Sequence, residues 1–394
     1  MIEVEEGRPA QRATRQMLSP LPSAANRGPA PSAECLLAPA AARRCLHGYP
    51  RRVGELASFP PKPPRRCVGS ATRKLAASLL ARAGLGALVD IRPLAMHSNA
   101  NYLIEASDGG RYVLRRFNEK APPHTALARL DRECWAYRQL ALAGVPVPRL
   151  FARSRQRGTE AMLTALVDGQ HLGTIVPSLP PQDAASAWSA CGRALAAVHA
   201  IDGRRAADAG CERVGIKDPT VSRGLWHYEE ALTALEQLGR VRRDLGSLTE
   251  LTAAVTEARP LYERAPLAVC QFDAHLWQFL VARGEGGRWV CTAILDWEHV
   301  DLDDPDWDLA QLDGFRWGEL DLVPREFFAG YGRVPTSPLY TLYRLERAAW
   351  ILSRSASASD WLALSVPLAG RFITAALARP VALRDQISDA RLEG

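Results

Sequence analysis

The chain has 394 residues, 47% of them hydrophobic, enough to bury more than one core and to suggest two lobes plus extra material. Its formal charge of +6 is unevenly spread: residues 1–85 hold 14 Lys and Arg against 5 Asp and Glu, which leaves 35 against 38 in the remainder. A slightly acidic body gives no support to a surface that tracks nucleic-acid phosphates, so no nucleic-acid partner is expected unless the basic N-terminal segment binds one, and no apolar run approaches the ~18 residues that a membrane span needs.

The first residues, Met1-Ile2-Glu3-Val4-Glu5-Glu6, are acidic where a signal peptide is basic, so a cytoplasmic protein without a membrane partner is expected. From there to about Ser70 the chain is rich in Pro, Ala and Arg, as in PLPSAANRGPAPS and FPPKPPRRC, and lacks hydrophobic periodicity. A disordered tail is expected over residues 1–69: a basic arm, an address signal, or an extension from a wrongly chosen start codon. Next, ATRKLAASLLARAG carries apolar residues at helical spacing and ends in Gly84. The run ALVDIRPLA, HSNAN, YLIEA, SDGG, RYVLRRF then reads as strand, loop, strand, turn and strand, with Asp108-Gly109-Gly110 as the hairpin signal. A helix is predicted from roughly Thr125 to Ala143, ending at Gly144, and then a hairpin from Arg149 to Ala152 and Met162 to Val167.

Past Asp168-Gly169 the pattern turns helical. SAWSACGRALAAVHAI puts Trp188, Cys191, Leu195 and Val198 on one stripe, and further helices are predicted over Leu225 to Leu238 and Leu248 to Tyr262. A hairpin with strands at Phe279 to Val281 and Ala293 to Leu295 follows, and helices fill most of the chain from Asp308 onward. The expected class is α+β: a small antiparallel sheet with one inserted helix over residues 70–168, and a mostly helical part over 169–394.

The chemistry concentrates between Cys270 and Ala310, in CQFDAHLWQFLV and TAILDWEHVDLDDPDWDLA. Asp273 precedes one short apolar run and Asp296 follows the other, so two carboxylates stand at the ends of neighbouring strands. A buried carboxylate is costly unless a cation, a metal or hydrogen bonds neutralise it, and this pairing suggests an ion or a proton to be handled.

Asp273-x4-Gln278, followed by Asp296-Trp297-Glu298, resembles the catalytic loop and metal-binding segment of the aminoglycoside phosphotransferase family, which has the two-lobed protein-kinase-like fold. The resemblance runs from about Ser70 to Ala378 and implies transfer of the γ-phosphate of ATP or GTP, with Mg²⁺, to a hydroxyl of a small molecule. Against the family's H-G-D-x-H-x-x-N, this chain reads Gln271-Phe272-Asp273-Ala274-His275-Leu276-Trp277-Gln278. Asp273 takes the place of the residue that accepts or orients the hydroxyl proton. Gln278 and Asp296 take the places of the Mg²⁺ ligands. The amide of Gln278 lies one methylene further out than the family's Asn, so the loop must shift or the metal must be held through water.

Arg115, in Tyr112-Val113-Leu114-Arg115, stands where kinases carry their strand lysine, and Glu133 where its helix partner lies. Ser98, Asn99 and Asn101 replace a glycine-rich phosphate loop. Residues 70–168 thereby become the nucleotide-binding N-lobe, and 169–394 the C-lobe with the catalytic loop and acceptor site. His199 is expected to pack beneath the catalytic loop, and Asp308 to cap a helix or tie that loop. Glu298, Asp301, Asp303 and Asp304 suit a cationic acceptor such as an aminoglycoside or another amine-bearing compound.

Other readings stay open. Gln278, Gln271 and the glycine-free loop also fit a nucleotide-binding pseudokinase without transfer. Cys270, His275, Cys291 and His299 invite comparison with zinc sites, but their spacing matches no familiar module. There is no G-x-S-x-G hydrolase motif, and the eight cysteines form no CxxC pair.

Overall fold

The computed structural model describes residues 68–94, 99–117, 123–216, 223–245, 247–312, 323–354 and 360–392. The expected tail, up to residue 67, and Ser98 lie outside them. All described residues belong to one compact unit, Gly54–Gly394.

Helix α1 (Ser70–Arg82) precedes a five-stranded antiparallel sheet of order β1-β2-β3-β5-β4. Its strands are β1 (Leu88–Pro93), β2 (Ala100–Ala106), β3 (Arg111–Arg116), β4 (Leu150–Ser154) and β5 (Ala161–Ala165). The turn between β2 and β3 forms because Asp108 accepts hydrogen bonds from Gly110 N (2.9 Å) and Gly86 N (3.1 Å), which hold its carboxyl below the usual range. Alternation along β3 decides which face does chemistry. Tyr112 and Leu114 are buried with Ala76, Leu79 and Leu80 of α1, whereas Val113 and Arg115 point to the other side.

That other side is covered by α2 (Pro123–Leu142), which starts on a proline at its first position and stops before Gly144, whose φ is +75°. Leu130 and Cys134 of α2 pack in the same core as Trp188, Cys191, Leu195 and Val198 of α4 (Pro181–His199), the stripe predicted from spacing. Between them lie the short strand β6 (Gln170–His171) and the single turn α3 (Leu172–Ile175). After α4 come α5 (Gly203–Asp208), α6 (Gly224–Val241), α7 (Thr249–Glu257) and α8 (Arg259–Glu263). The last two correct the continuous helix expected over Leu248 to Tyr262. Pro260 supplies no N–H and cannot continue an existing helix, so the chain breaks at Ala258 and restarts with proline in the new first turn.

The hairpin of β8 (Phe279–Arg283) and β9 (Trp289–Ile294) forms as expected, with β6 on its outer edge. A second ladder escaped sequence reading: β7 (Ala268–Cys270) pairs antiparallel with β10 (Asp301–Asp303). The chain ends in α9 (Pro305–Leu312), α10 (Arg325–Tyr331), α11 (Pro338–Ser353), α12 (Asp360–Ala378) and α13 (Pro380–Leu392). Helices α4 and α10 cross closely because each places a glycine against the other's backbone. A Cβ on Gly192 would lie 2.1 Å from Phe327 O, and one on Gly330 would lie 2.1 Å from Ser189 O. Among the described residues, no single helix is long and apolar enough to cross a membrane.

A buried polar seam ties α6 to β10 and α11. His227, fully buried, lies 3.0 Å from Asp303 and 2.9 Å from Glu346, and Arg223 forms a close ion pair with Asp301. Burial opposes charge on His227, but Glu346 and Asp303 outweigh it and raise the imidazole to about 10. The stabilisation is complete below the ordinary histidine value of about 6.5 and is lost as pH rises through about 10. Urea midpoints are therefore expected to fall between about pH 7 and pH 9.5. That slope should flatten in His227→Gln, and an unchanged slope in the variant would remove His227 as its source.

Candidate active site

The segment after β7 is held from below. Asp308, inside α9, accepts hydrogen bonds from Gln271 N (2.6 Å) and Phe272 N (2.9 Å), while Gln311 Nε2 donates to Phe272 O (2.8 Å). His199 Nε2 lies 3.2 Å from the same carboxylate, and its Nδ1 is 2.7 Å from the Tyr331 hydroxyl. Asp308 thus ties the loop and is no helix cap, and His199 sits beneath the loop as expected. Gln271, standing where the family has His, donates through Nε2 to Leu295 O (2.8 Å) and Asp296 O (3.3 Å), joining the two motif segments.

These tethers sustain unusual backbone. Among the described residues, the non-glycine residues with positive φ are Phe272 (+67°) and Asp296 (+64°). Left-handed backbone costs such residues about 1–2 kcal/mol each, and strain of this kind gathers at functional sites. It turns the chain sharply just before Asp273 and at Asp296 itself. The Asp273 side chain is 22% exposed, with its Oδ2 3.8 Å from His275 Nε2.

On the N-terminal side Arg115 is the hub. Its Nε lies 3.1 Å from Glu133 Oε2, and its Nη2 makes a close ion pair with Asp296 Oδ1 and reaches Glu298 Oε2 at 3.2 Å. Tyr137 donates its hydroxyl to Glu133 Oε1 (3.0 Å). Burial pushes the Glu133 carboxyl up to about 8 against the pull of Arg115, while Arg115 itself stays charged among its carboxylates. Burial acts the same way on Glu298, but there His299, Arg115 and Asn99 prevail and hold it at about 2. Gln278 Nε2 donates to Asp296 Oδ2 (3.2 Å), so amide and carboxylate stand side by side.

Arg115, Glu133, Asp296 and Gln278 are therefore brought together, and Asp273 adjoins them through His275. Two expectations for the phosphate loop change. Asn99 turns inward and donates to Glu298 (2.6 Å), and Asn101 lies within β2, paired across the ladder with Arg115. The acidic group offered to a cationic acceptor is also spent internally. Glu298 faces Asn99, Arg115, Arg129 (3.8 Å) and His299 (3.4 Å), while Asp301 and Asp303 bind Arg223 and His227. Asp304, 3% exposed, accepts from the Tyr343 hydroxyl (3.1 Å).

The zinc combination does not assemble. The metal-capable clusters among the described residues are His199–Cys270–Asp308, whose Asp308 already holds the loop and whose thiol burial pushes well up, and Glu133–Asp296–Glu298, which surrounds Arg115. Sequence reading missed Glu298 as a hub and His275 as a bridge. The place of His275 in the loop motif, two residues after Asp273 and three before Gln278, could have signalled the latter.

The family comparison agrees with this geometry. Residues 90–344 match the model of the Phosphotransferase enzyme family, and the chain belongs to that family. It is thereby a small-molecule phosphotransferase with a hydroxyl acceptor. No curated protein matches the sequence. Among solved structures, the gentamicin complex of APH(2'')-IIa is 10% identical with a TM-score of 0.52, covering 78% of this chain and 96% of that one. The streptomycin–ATP complex of the same protein is 12% identical with a TM-score of 0.51, covering 78% and 97%. A choline/ethanolamine kinase family protein from Mesorhizobium loti is 20% identical with a TM-score of 0.50, covering 80% and 98%. At these identities the likeness is one of fold, the two-lobed protein-kinase-like fold with a small antiparallel N-lobe and a mostly helical C-lobe.

Proposed function

We propose that this protein moves the γ-phosphate of ATP or GTP, bound with Mg²⁺, to a hydroxyl of a small molecule. The observation that carries the reading is the convergence of Arg115, Glu133 and Asp296 from three separate elements beside the tethered loop of Asp273. Asp273 would accept or orient the hydroxyl proton, and Arg115, braced by Glu133, would fork onto phosphate oxygens. Gln278 and Asp296 each carry an oxygen donor of the kind Mg²⁺ prefers and stand side by side, joined by a hydrogen bond from Gln278 Nε2, so they would hold the ion once the amide presents its oxygen. The metal would neutralise charge on the β- and γ-phosphates. The close Arg115–Asp296 pair must loosen as nucleotide arrives, since the guanidinium and the carboxylate each face a new partner.

Gentamicin and streptomycin in the similar structures favour an amine-bearing acceptor such as an aminoglycoside, but the buried carboxylates of this chain add nothing to that choice. The test is nucleotide consumption with Mg²⁺ against aminoglycosides, macrolides, sugars and choline. Turnover on at least one acceptor is expected. Thermal stabilisation by Mg²⁺ and ATP without turnover would instead make this a nucleotide-binding pseudokinase, and no nucleotide effect of any kind would defeat both readings.

A further inference from the structure

The lengthened amide at Gln278 is matched by a nearby imidazole. His275 opens the 3₁₀ turn Leu276–Gln278, and its Nδ1 accepts a hydrogen bond from Trp277 N (3.2 Å). The turn is closed by Gln278 N donating to His275 O (2.9 Å), which holds the two side chains close. Across the turn, His275 Nε2 lies 3.0 Å from Gln278 Nε2, which in turn lies 3.2 Å from Asp296 Oδ2.

With the amide nitrogen facing the ring, both nitrogens of His275 would have to accept, and a neutral imidazole has only one acceptor. The acceptor is fixed at Nδ1 by the Trp277 backbone, so the ring proton belongs on Nε2. An amide's oxygen and nitrogen are told apart by their hydrogen-bonding partners, and a donor at His275 Nε2 demands the oxygen. Turning the amide over satisfies the ring and leaves the Gln278 oxygen 3.2 Å from Asp296 Oδ2. Two oxygens so placed repel each other unless a cation lies between them. One divalent cation could be held by both oxygens at that separation.

We infer that His275 is a positioning residue that turns the oxygen of Gln278 toward the divalent cation shared with Asp296, so that the longer amide serves where a shorter one would be expected. This rests on the phosphotransferase reading of the same site. It assigns His275 no part in proton transfer to the acceptor.

Two measurements on the full chain test it. In the wild type, long-range ¹H–¹⁵N NMR of the histidine rings at about pH 7.5 should show His275 as the Nε2–H tautomer; an Nδ1–H ring or an imidazolium would overturn the inference. Mn²⁺ binding with a non-hydrolysable ATP analogue, followed by electron paramagnetic resonance, should weaken roughly 10- to 100-fold in His275→Ala. In a Gln278→Ala background, removing His275 should cost nothing further, because its target is gone. If His275→Ala leaves Mn²⁺ affinity unchanged, or weakens it equally in both backgrounds, His275 does not act through Gln278 and the phosphotransferase reading stands alone. If the wild type binds no Mn²⁺ with nucleotide, the phosphotransferase reading falls and this inference falls with it.

Discussion

Asp273→Asn is expected to lower kcat by about 10²- to 10⁴-fold while leaving the nucleotide KM within about threefold of the wild type. The substitution keeps the shape of the side chain and removes its capacity to take a proton. The loop should hold its course, because Asp308 fixes its backbone at Gln271 and Phe272. Little stability should be lost either, since the isosteric amide keeps the packing of this half-buried side chain. The nucleotide contacts proposed for Arg115, Gln278 and Asp296 are left in place, so the loss should fall on the transfer step. Steady-state kinetics on whichever acceptor is turned over will decide. A variant with undiminished kcat would remove Asp273 from the chemistry, and one whose loss lies wholly in nucleotide KM would move it to the nucleotide site.

What the sequence could disclose divides along the range of the interactions. The hairpin at Asp108 and the stripe on α4 are local: a turn residue and a 3.6-residue period are written within a few positions. Arg115 and Glu133 were legible because the resemblance assigns a place to a strand cation and to its helix carboxylate, and this chain has both. The ladder of β7 with β10 was not, since Asp301-Leu302-Asp303 reads as a polar loop until its distant partners are known. Arg223 lies 78 residues before Asp301, and His227 lies 76 before Asp303; those cations turn an acidic loop into a buried strand.

Glu298 hides for the same reason. Asn99 and Arg115, 199 and 183 residues upstream, convert what looks like an open carboxylate into a buried junction between the lobes. The break at Pro260 belongs to another class. The proline was visible, and the apolar spacing around it masked its effect. The inward turn of Asn99 had no local signal, because a short amide in a loop is equally suited to facing phosphate or protein.

Asp308→Ala should be the most damaging single change to the fold around the site. The carboxylate is fully buried and is approached by the N–H groups of Gln271 and Phe272 and by His199 Nε2. Alanine leaves two backbone donors without an acceptor in a place from which water is excluded, at about 1–3 kcal/mol each, and removes the partner of a buried imidazole. Some of the loss returns if Phe272 escapes its left-handed conformation, which is worth about 1–2 kcal/mol. A net loss of about 4 kcal/mol is expected, a large part of the 5–15 kcal/mol that holds a typical domain, and urea unfolding will measure it.

Transfer should fail even in the fraction that remains folded, because the turn that aims Asp273 has lost its anchor. Asp308→Asn separates hydrogen bonding from packing. It keeps one oxygen for one N–H and sets its own NH₂ against the other, so an intermediate loss is expected. A loss under about 1 kcal/mol in the alanine variant would mean that the left-handed turn at Phe272 is held by its ring, lodged against Arg223 and Trp307, and not by Asp308.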